Sequence, residues 1–454
     1  MWTRIQPARF PLVLLVLLFS VLFEPLRAEP ILSKLPGSLA LSDQNHQEVP
    51  DAIRRFNTRD FDGALKLLDQ AVSKDPDLPP ARILMAELFA QSKQSAAVRE
   101  SLERAAIEKP SDPEAFILLG DMARSEGRIT EADLLYARAA RSFDALKSSP
   151  KRQKVLTPRL LAGQAAVAQA RQNWPTALKH LEAWVAFDPE NATPHETLAQ
   201  ILFQQHRPEE ALAQLRTAAK LDQQLLAPEA LLAQFYEATG DREHATQWMT
   251  TALRAAPKDL HTLVAAAKWS IETGQYDQAA ELTARATALD PKSIEANFVQ
   301  GTLELLLKDY EAAERHLLLV LQRSPTQFTA IANLALALCE QDDEAKKRRA
   351  LEYAQLGVRE YPDRAEAYAT LGRVLYRFGR VEEAEKALRA AATHGDISPD
   401  AACCLARIDA ATQRTREARQ LLVAALKGKG IFMQRQEARA LLEQLGKLQE
   451  PTGK

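Results

Sequence analysis

The chain has 454 residues, 46% of them hydrophobic and 26% charged, an ordinary balance for a soluble folded protein. A formal charge of −2 gives no global attraction to nucleic acid or to an anionic membrane, so neither is expected as a partner. Three cysteines, Cys339, Cys403 and Cys404, make no disulfide framework, and the low aromatic share of an Ala-rich chain favours helices packed through small side chains.

The N-terminus comes first. Arg4 and Arg9 precede an apolar run of 13 residues from Pro11 to Phe23, and Leu26-Arg27-Ala28 follows. A basic region, an apolar stretch and a small residue at the break predict a secretory signal peptide over residues 1–28. As a helix the apolar run reaches about 20 Å, against a hydrocarbon core of about 30 Å. The mature chain is therefore expected to be exported to the periplasm or the cell exterior, with no integral membrane domain. Leu26 fits the cleavage site less well than Ala, so an uncleaved inner-membrane anchor is the alternative. Residues 29–44 contain Pro and Ser without periodicity and read as a flexible leader.

From residue 45 the chain repeats every 34 residues, with unit starts at 45, 79, 113, 158, 192, 226, 260, 294, 328, 365 and 399. Position 8 is Ala or Gly in all eleven units, from Ala52 to Ala406. Position 20 is small throughout, position 24 is often Leu (Leu68, Leu317, Leu388), and position 32 is Pro in seven units, among them Pro76 and Pro110. This pattern predicts two antiparallel helices per unit. Positions 8 and 20 face each other where the helices approach closely, and a larger side chain there would overpack the contact at about 1–3 kcal/mol. Pro stops the second helix, because it lacks an N–H and clashes with the preceding turn. Gly127, Gly240, Gly274 and Gly379 fall at the turn inside the hairpin, where a left-handed cap is wanted.

The resulting organisation has units 1–3 over 45–146, an irregular joint at 147–157, units 4–11 over 158–432, a capping helix at 433–446 and a tail at 447–454. The ninth unit carries a three-residue insertion near 342–349.

The pattern resembles the tetratricopeptide repeat, in its exported bacterial form. Leu119-Gly120 and Leu371-Gly372 match the family's Leu-Gly pair, and Trp174, Tyr236, Tyr276 and Tyr310 occupy its aromatic positions. The resemblance implies an all-α fold, an α-solenoid in which tandem antiparallel helix pairs form a right-handed superhelix. It also implies that first helices line a concave groove through positions 2, 5, 9, 12 and 13. Carried onto this chain, those positions include Phe203, Gln234, Lys268, Phe298, Arg373, Tyr376, Arg377 and Arg407 as candidate partner contacts. The early groove reads acidic and amide-rich (Glu87, Glu114, Asp121), the later part apolar, and the last part basic and aromatic. The Lys that family members place at position 5 to clamp a terminal carboxylate is missing from every unit.

No catalytic or cofactor motif interrupts the array. The eight histidines are scattered without zinc spacing, and there is no phosphate loop or nucleophile elbow. No cofactor, metal or catalytic residue is assigned, and the chain is not expected to be an enzyme. Two basic runs stand out: Lys346 to Arg349 has acids beside it, and Lys151, Arg152, Lys154 and Arg159 form a candidate anion site. The expected function is a non-enzymatic interaction scaffold that binds proteins or peptide segments in its groove. The alternative is a glycan- or precursor-binding component of an envelope polysaccharide export or assembly machine.

Overall fold

Helical hairpins follow from the spacing just described, and the computed structural model shows them over residues 47–75, 77–428 and 431–447. The signal peptide, the leader, Pro76 and tail residues 448–454 lie outside the described residues. The described residues contain 23 α-helices, a short 3-10 helix and no strand, an all-α solenoid of helix pairs.

The chain divides into two compact units, residues 1–248 and 249–454. The first holds five complete hairpins: α1 (Glu48–Asn57) with α2 (Phe61–Lys74), α3 (Ala81–Gln91) with α4 (Ser95–Glu108), α5 (Glu114–Ser125) with α6 (Ile129–Ser142), α7 (Pro150–Ala170) with α8 (Trp174–Phe187), and α9 (Ala192–Gln204) with α10 (Pro208–Leu221). It ends with α11 (Pro228–Thr239) and the start of α12 (Arg242–Ala255). The second unit continues α12 and adds α13 (Leu260–Glu272) with α14 (Tyr276–Leu289), α15 (Ile294–Leu306) with α16 (Tyr310–Arg323), α17 (Phe328–Cys339) with α18 (Glu344–Glu360), α19 (Ala365–Arg377) with α20 (Val381–His394), and α21 (Pro399–Ala411) with α22 (Thr415–Lys427). The unpaired α23 (Arg435–Lys447) packs on α21 and α22.

Position 8 is buried in every hairpin. Its neighbours there are both position 20 and position 24: a Cβ added at Gly372 would lie 2.6 Å from Leu388 Cγ and 3.2 Å from the Ala384 carbonyl. The third hairpin shows the same rule by exception. Its position 24 is Tyr136, which is 1% exposed and donates its hydroxyl to Asp121 at 2.6 Å. Gly120 and Gly163 supply the room, since a Cβ on either would meet the ring at 2.8 and 2.4 Å.

One device closes the first helix and opens the second. Ten hairpins place position 15 in the left-handed region, four as Gly and six as Arg59, Lys93, Gln172, His206, Lys308 and Gln413. The N–H of position 16 then bonds back to a carbonyl five residues earlier, as Asp309 does to Glu304 at 2.9 Å. Where position 16 is Asp or Asn, its side chain also caps the second helix: Asp60 accepts from Gly63, Asn173 from Thr176 and Asp309 from Ala312. A non-Gly residue at this conformation costs roughly 1–2 kcal/mol, offset by the two helix ends it joins.

The stretch 147–157, expected to be an irregular joint, is helical from Pro150 onward. A 3-10 turn at Phe143–Ser148 leads into α7, which runs for 21 residues. Pro150 sits in its first turn, where a missing N–H costs nothing. Leu146, Leu156 and Leu160 bury against Tyr136, and Ser149, Lys151 and Arg152 are held by acids. Ser149 donates to Asp77 at 2.6 Å, and Arg152 pairs with Asp112 at 2.8 Å and Glu114 at 2.7 Å. Arg159 pairs with Asp121 and Lys151 with Asp77, so three of the four cations of the candidate anion site are held by carboxylates. The ninth hairpin takes up its three extra residues in α18, which runs 17 residues against 14 for α16.

Candidate partner-binding site

Within the second unit each first helix touches the next, α13 to α15, α15 to α17, α17 to α19 and α19 to α21, and α23 closes the row against α21. The groove positions of these helices therefore line one continuous face. At its far end is a cavity of about 310 Å³. Leu305 from α15, Leu336 and Cys339 from α17, Arg373, Tyr376 and Arg377 from α19, and Cys404 and Arg407 from α21 contribute to its walls. Lys308, Tyr310 and Glu340 enter from turns and helix ends, and Met433, Gln434 and Glu437 from the start of α23.

Four of the eight expected contacts, Arg373, Tyr376, Arg377 and Arg407, thus meet around one cavity. The other four do not. In the first unit Phe203 packs against Tyr236 at 4.8 Å and Phe235 at 5.4 Å, while Gln234 is half-buried on α11. In the second unit Lys268 is half-buried on α13, and Phe298 packs against the core around Leu334 and Leu338. The early acidic positions are not open groove at all: Glu87, Glu114 and Asp121 are 2%, 1% and 5% exposed.

The cavity's charge is unbalanced. Lys308, Arg373, Arg377 and Arg407 face the carboxylates of Glu340 and Glu437. Arg377 pairs with Glu340 at 3.0 Å, whereas Lys308, Arg373 and Arg407 pair with no carboxylate among the described residues. Burial pushes the thiols of Cys339 and Cys404 up to about 12, so both stay protonated and serve as apolar wall. The start of α23 is fixed by Asp400, whose carboxylate accepts from the backbone N–H groups of Met433 and Gln434 at 3.3 and 3.0 Å. In the other basic run three of the four cations are paired: Lys346 and Arg349 with Glu314, and Lys347 with Asp342 and Glu344.

Sequence reasoning missed several of these walls. Glu340 stands at groove position 13 and the positional rule could have found it. Lys308 and Tyr310 belong to the turn and the second helix, and Met433, Gln434 and Glu437 lie beyond the repeat, where the period offers no signal. Among the described residues no grouping of three or more His, Cys, Asp or Glu could hold a metal ion, and no helix is long and apolar enough to cross a membrane.

Family models of the tetratricopeptide repeat match residues 58–122, 196–259, 271–328 and 331–402. No curated protein matches the chain. Among solved structures it is similar to a tetratricopeptide repeat protein from Parabacteroides merdae, at 16% identity over 56% of this chain and 98% of that one, with a TM-score of 0.45. It is also similar to yeast Tom70, at 15% identity over 91% of this chain and 96% of that one, with a TM-score of 0.39. PilW, a widely conserved type IV pilus biogenesis factor, matches at 18% identity over 49% of this chain and 98% of its own, also with a TM-score of 0.39.

Proposed function

The chain belongs to the tetratricopeptide repeat family of protein-interaction scaffolds, and we propose that it holds a segment of a partner protein against the first helices of its second unit. One observation carries this reading: a continuous row of first helices ends in a cavity where three cations have no carboxylate partner among the described residues. An extended segment laid along such a face gains apolar contact from the helix surfaces and orientation from a few fixed polar groups. The first three hairpins are a poorer surface, because their groove acids are buried, and Glu114 and Asp121 are engaged by α7.

The role is non-enzymatic on this reading. It is carried out in the cell envelope or outside the cell, which the signal-peptide pattern of residues 1–28 supports. No observation favours the glycan alternative. The test is affinity purification of the full chain from its native host, comparing wild type with a Tyr376→Ala/Arg377→Glu variant and with Leu319→Ser on α16. Partners should be lost with the first-helix variant and retained with Leu319→Ser, which alters an exposed second-helix residue. Reproducible failure to recover any protein, or equal loss with both variants, would contradict the proposal.

A further inference from the structure

We infer that the cavity formed by α15, α17, α19, α21 and the start of α23 receives an acidic side chain of the bound segment, with the guanidinium of Arg373 as its receptor. The inference rests on the reading that a partner segment lies along these first helices. Four cations reach the cavity, and they are not equivalent. Arg377 is held by Glu340 at 3.0 Å, Arg407 lies beside the Cys403 thiol, and Lys308 is exposed at a turn. Arg373 is half-buried and has no carboxylate partner among the described residues. A guanidinium partly withdrawn from water is well placed for a carboxylate that can accept two parallel N–H bonds from it.

The remaining walls set the size and context of the guest. Leu305, Leu336 and Met433 with the protonated thiols of Cys339 and Cys404 make an apolar lining beside the cation. A volume of about 310 Å³ sits at the small end of ligand pockets, enough for a side chain or two of a passing segment rather than a large cofactor. The occupant is thus an internal Asp or Glu of a partner, flanked by an apolar residue. A terminal carboxylate is not required, and the position-5 lysine used to clamp one is missing from every unit.

The test uses the immobilised full chain and two pools of random octapeptides, N-acetylated and C-amidated, that differ in carrying Glu or Gln at one fixed position. Wild type should retain the Glu pool about tenfold or more over the Gln pool, the worth of one charge-assisted bidentate contact. Arg373→Gln should abolish that preference, and Arg373→Lys should restore part of it, because a point charge attracts the acid without the fork. Arg323→Gln, an exposed cation removed from α16, should leave it unchanged. Equal retention of the two pools by wild type, or a preference that survives Arg373→Gln, overturns the inference. So does displacement by inorganic phosphate as effective as by the Glu pool, which would make the site a general anion site. If Arg373→Gln still captures native partners through the first-helix face, the inference on the acid has failed while the scaffold reading stands. Loss of all partner capture by wild type strikes the scaffold reading itself.

Discussion

Gly163→Ala should destabilise the first unit, and the same substitution should become stabilising once Tyr136 is replaced by Leu. A Cβ at Gly163 would lie 2.4 Å from Tyr136 Cζ, 2.6 Å from Cε1 and 2.7 Å from the hydroxyl oxygen. The ring has little room to move: it is 1% exposed, bonded to Asp121 at 2.6 Å, and packed against Gly120 as well. Overpacking of this kind costs about 1–3 kcal/mol, and a displaced hydroxyl that leaves Asp121 short of a donor adds about 1 kcal/mol. Against this, Ala in place of Gly inside a helix gains roughly 1 kcal/mol. The net is a loss of about 1–3 kcal/mol in wild type and a gain of up to about 1 kcal/mol in Tyr136→Leu, where position 24 carries the residue found in seven other hairpins. Repeat arrays need not unfold in one transition, so the readout is hydrogen exchange of the α5–α8 amides in increasing urea. An equal effect of Gly163→Ala in both backgrounds would refute the packing argument.

Three further outcomes follow from single residues. Gly240→Ala should lower the urea midpoint by the equivalent of about 1–2 kcal/mol through backbone strain alone, since its φ is 82° and nothing lies within 4 Å of the added Cβ; Gln413→Gly, at φ 62°, should shift it the other way. Glu87 is 2% exposed with both carboxylate oxygens unpartnered, and burial, reinforced by Glu114, pushes its pKa up to about 8. The folded chain therefore holds a proton that the unfolded chain releases near pH 4.5. Stability of the first unit should fall as pH rises from about 5 to 8, and Glu87→Gln should flatten that slope; identical slopes in urea titrations across this range would exclude the effect. Cys339 and Cys404, buried and pushed up to about 12, should resist iodoacetamide at pH 8 in the native chain and react quickly in urea, as mass spectrometry of the labelled peptides would show.

Much of the fold was legible because a repeat states the same packing problem eleven times. Small residues at position 8, Pro at position 32 and Gly at the turn each report a local steric demand, and the hairpins follow from them. Legibility ended where the demand is met by something other than residue type. Six turns use Arg, Lys, Gln or His in the left-handed conformation, because the helix ends joined there offset the strain. The stretch 147–157 read as an irregular joint because it breaks the 34-residue period, yet Ser149, Lys151 and Arg152 are held by Asp77, Asp112 and Glu114, which lie 38 to 74 residues away. The same long-range pairing removes Glu114 and Asp121 from the surface that a positional rule assigns to the groove, and Glu87 is buried there without a partner among the described residues. At the cavity, four arginine and tyrosine contacts came from that rule, while the wall from α23 depends on Asp400 capping a helix outside the repeat.

The claim that a partner lies along the first helices of the second unit is tested most directly by site-specific photo-crosslinking. A benzophenone amino acid is placed at Leu306 or Arg377 on the first-helix face, and at Leu319 on the exposed side of α16, in the full chain expressed in its own host. One and the same partner should be captured from Leu306 and from Arg377, with capture from Leu319 at background. Capture of that partner from Leu319, with none from the other two positions, would contradict the claim.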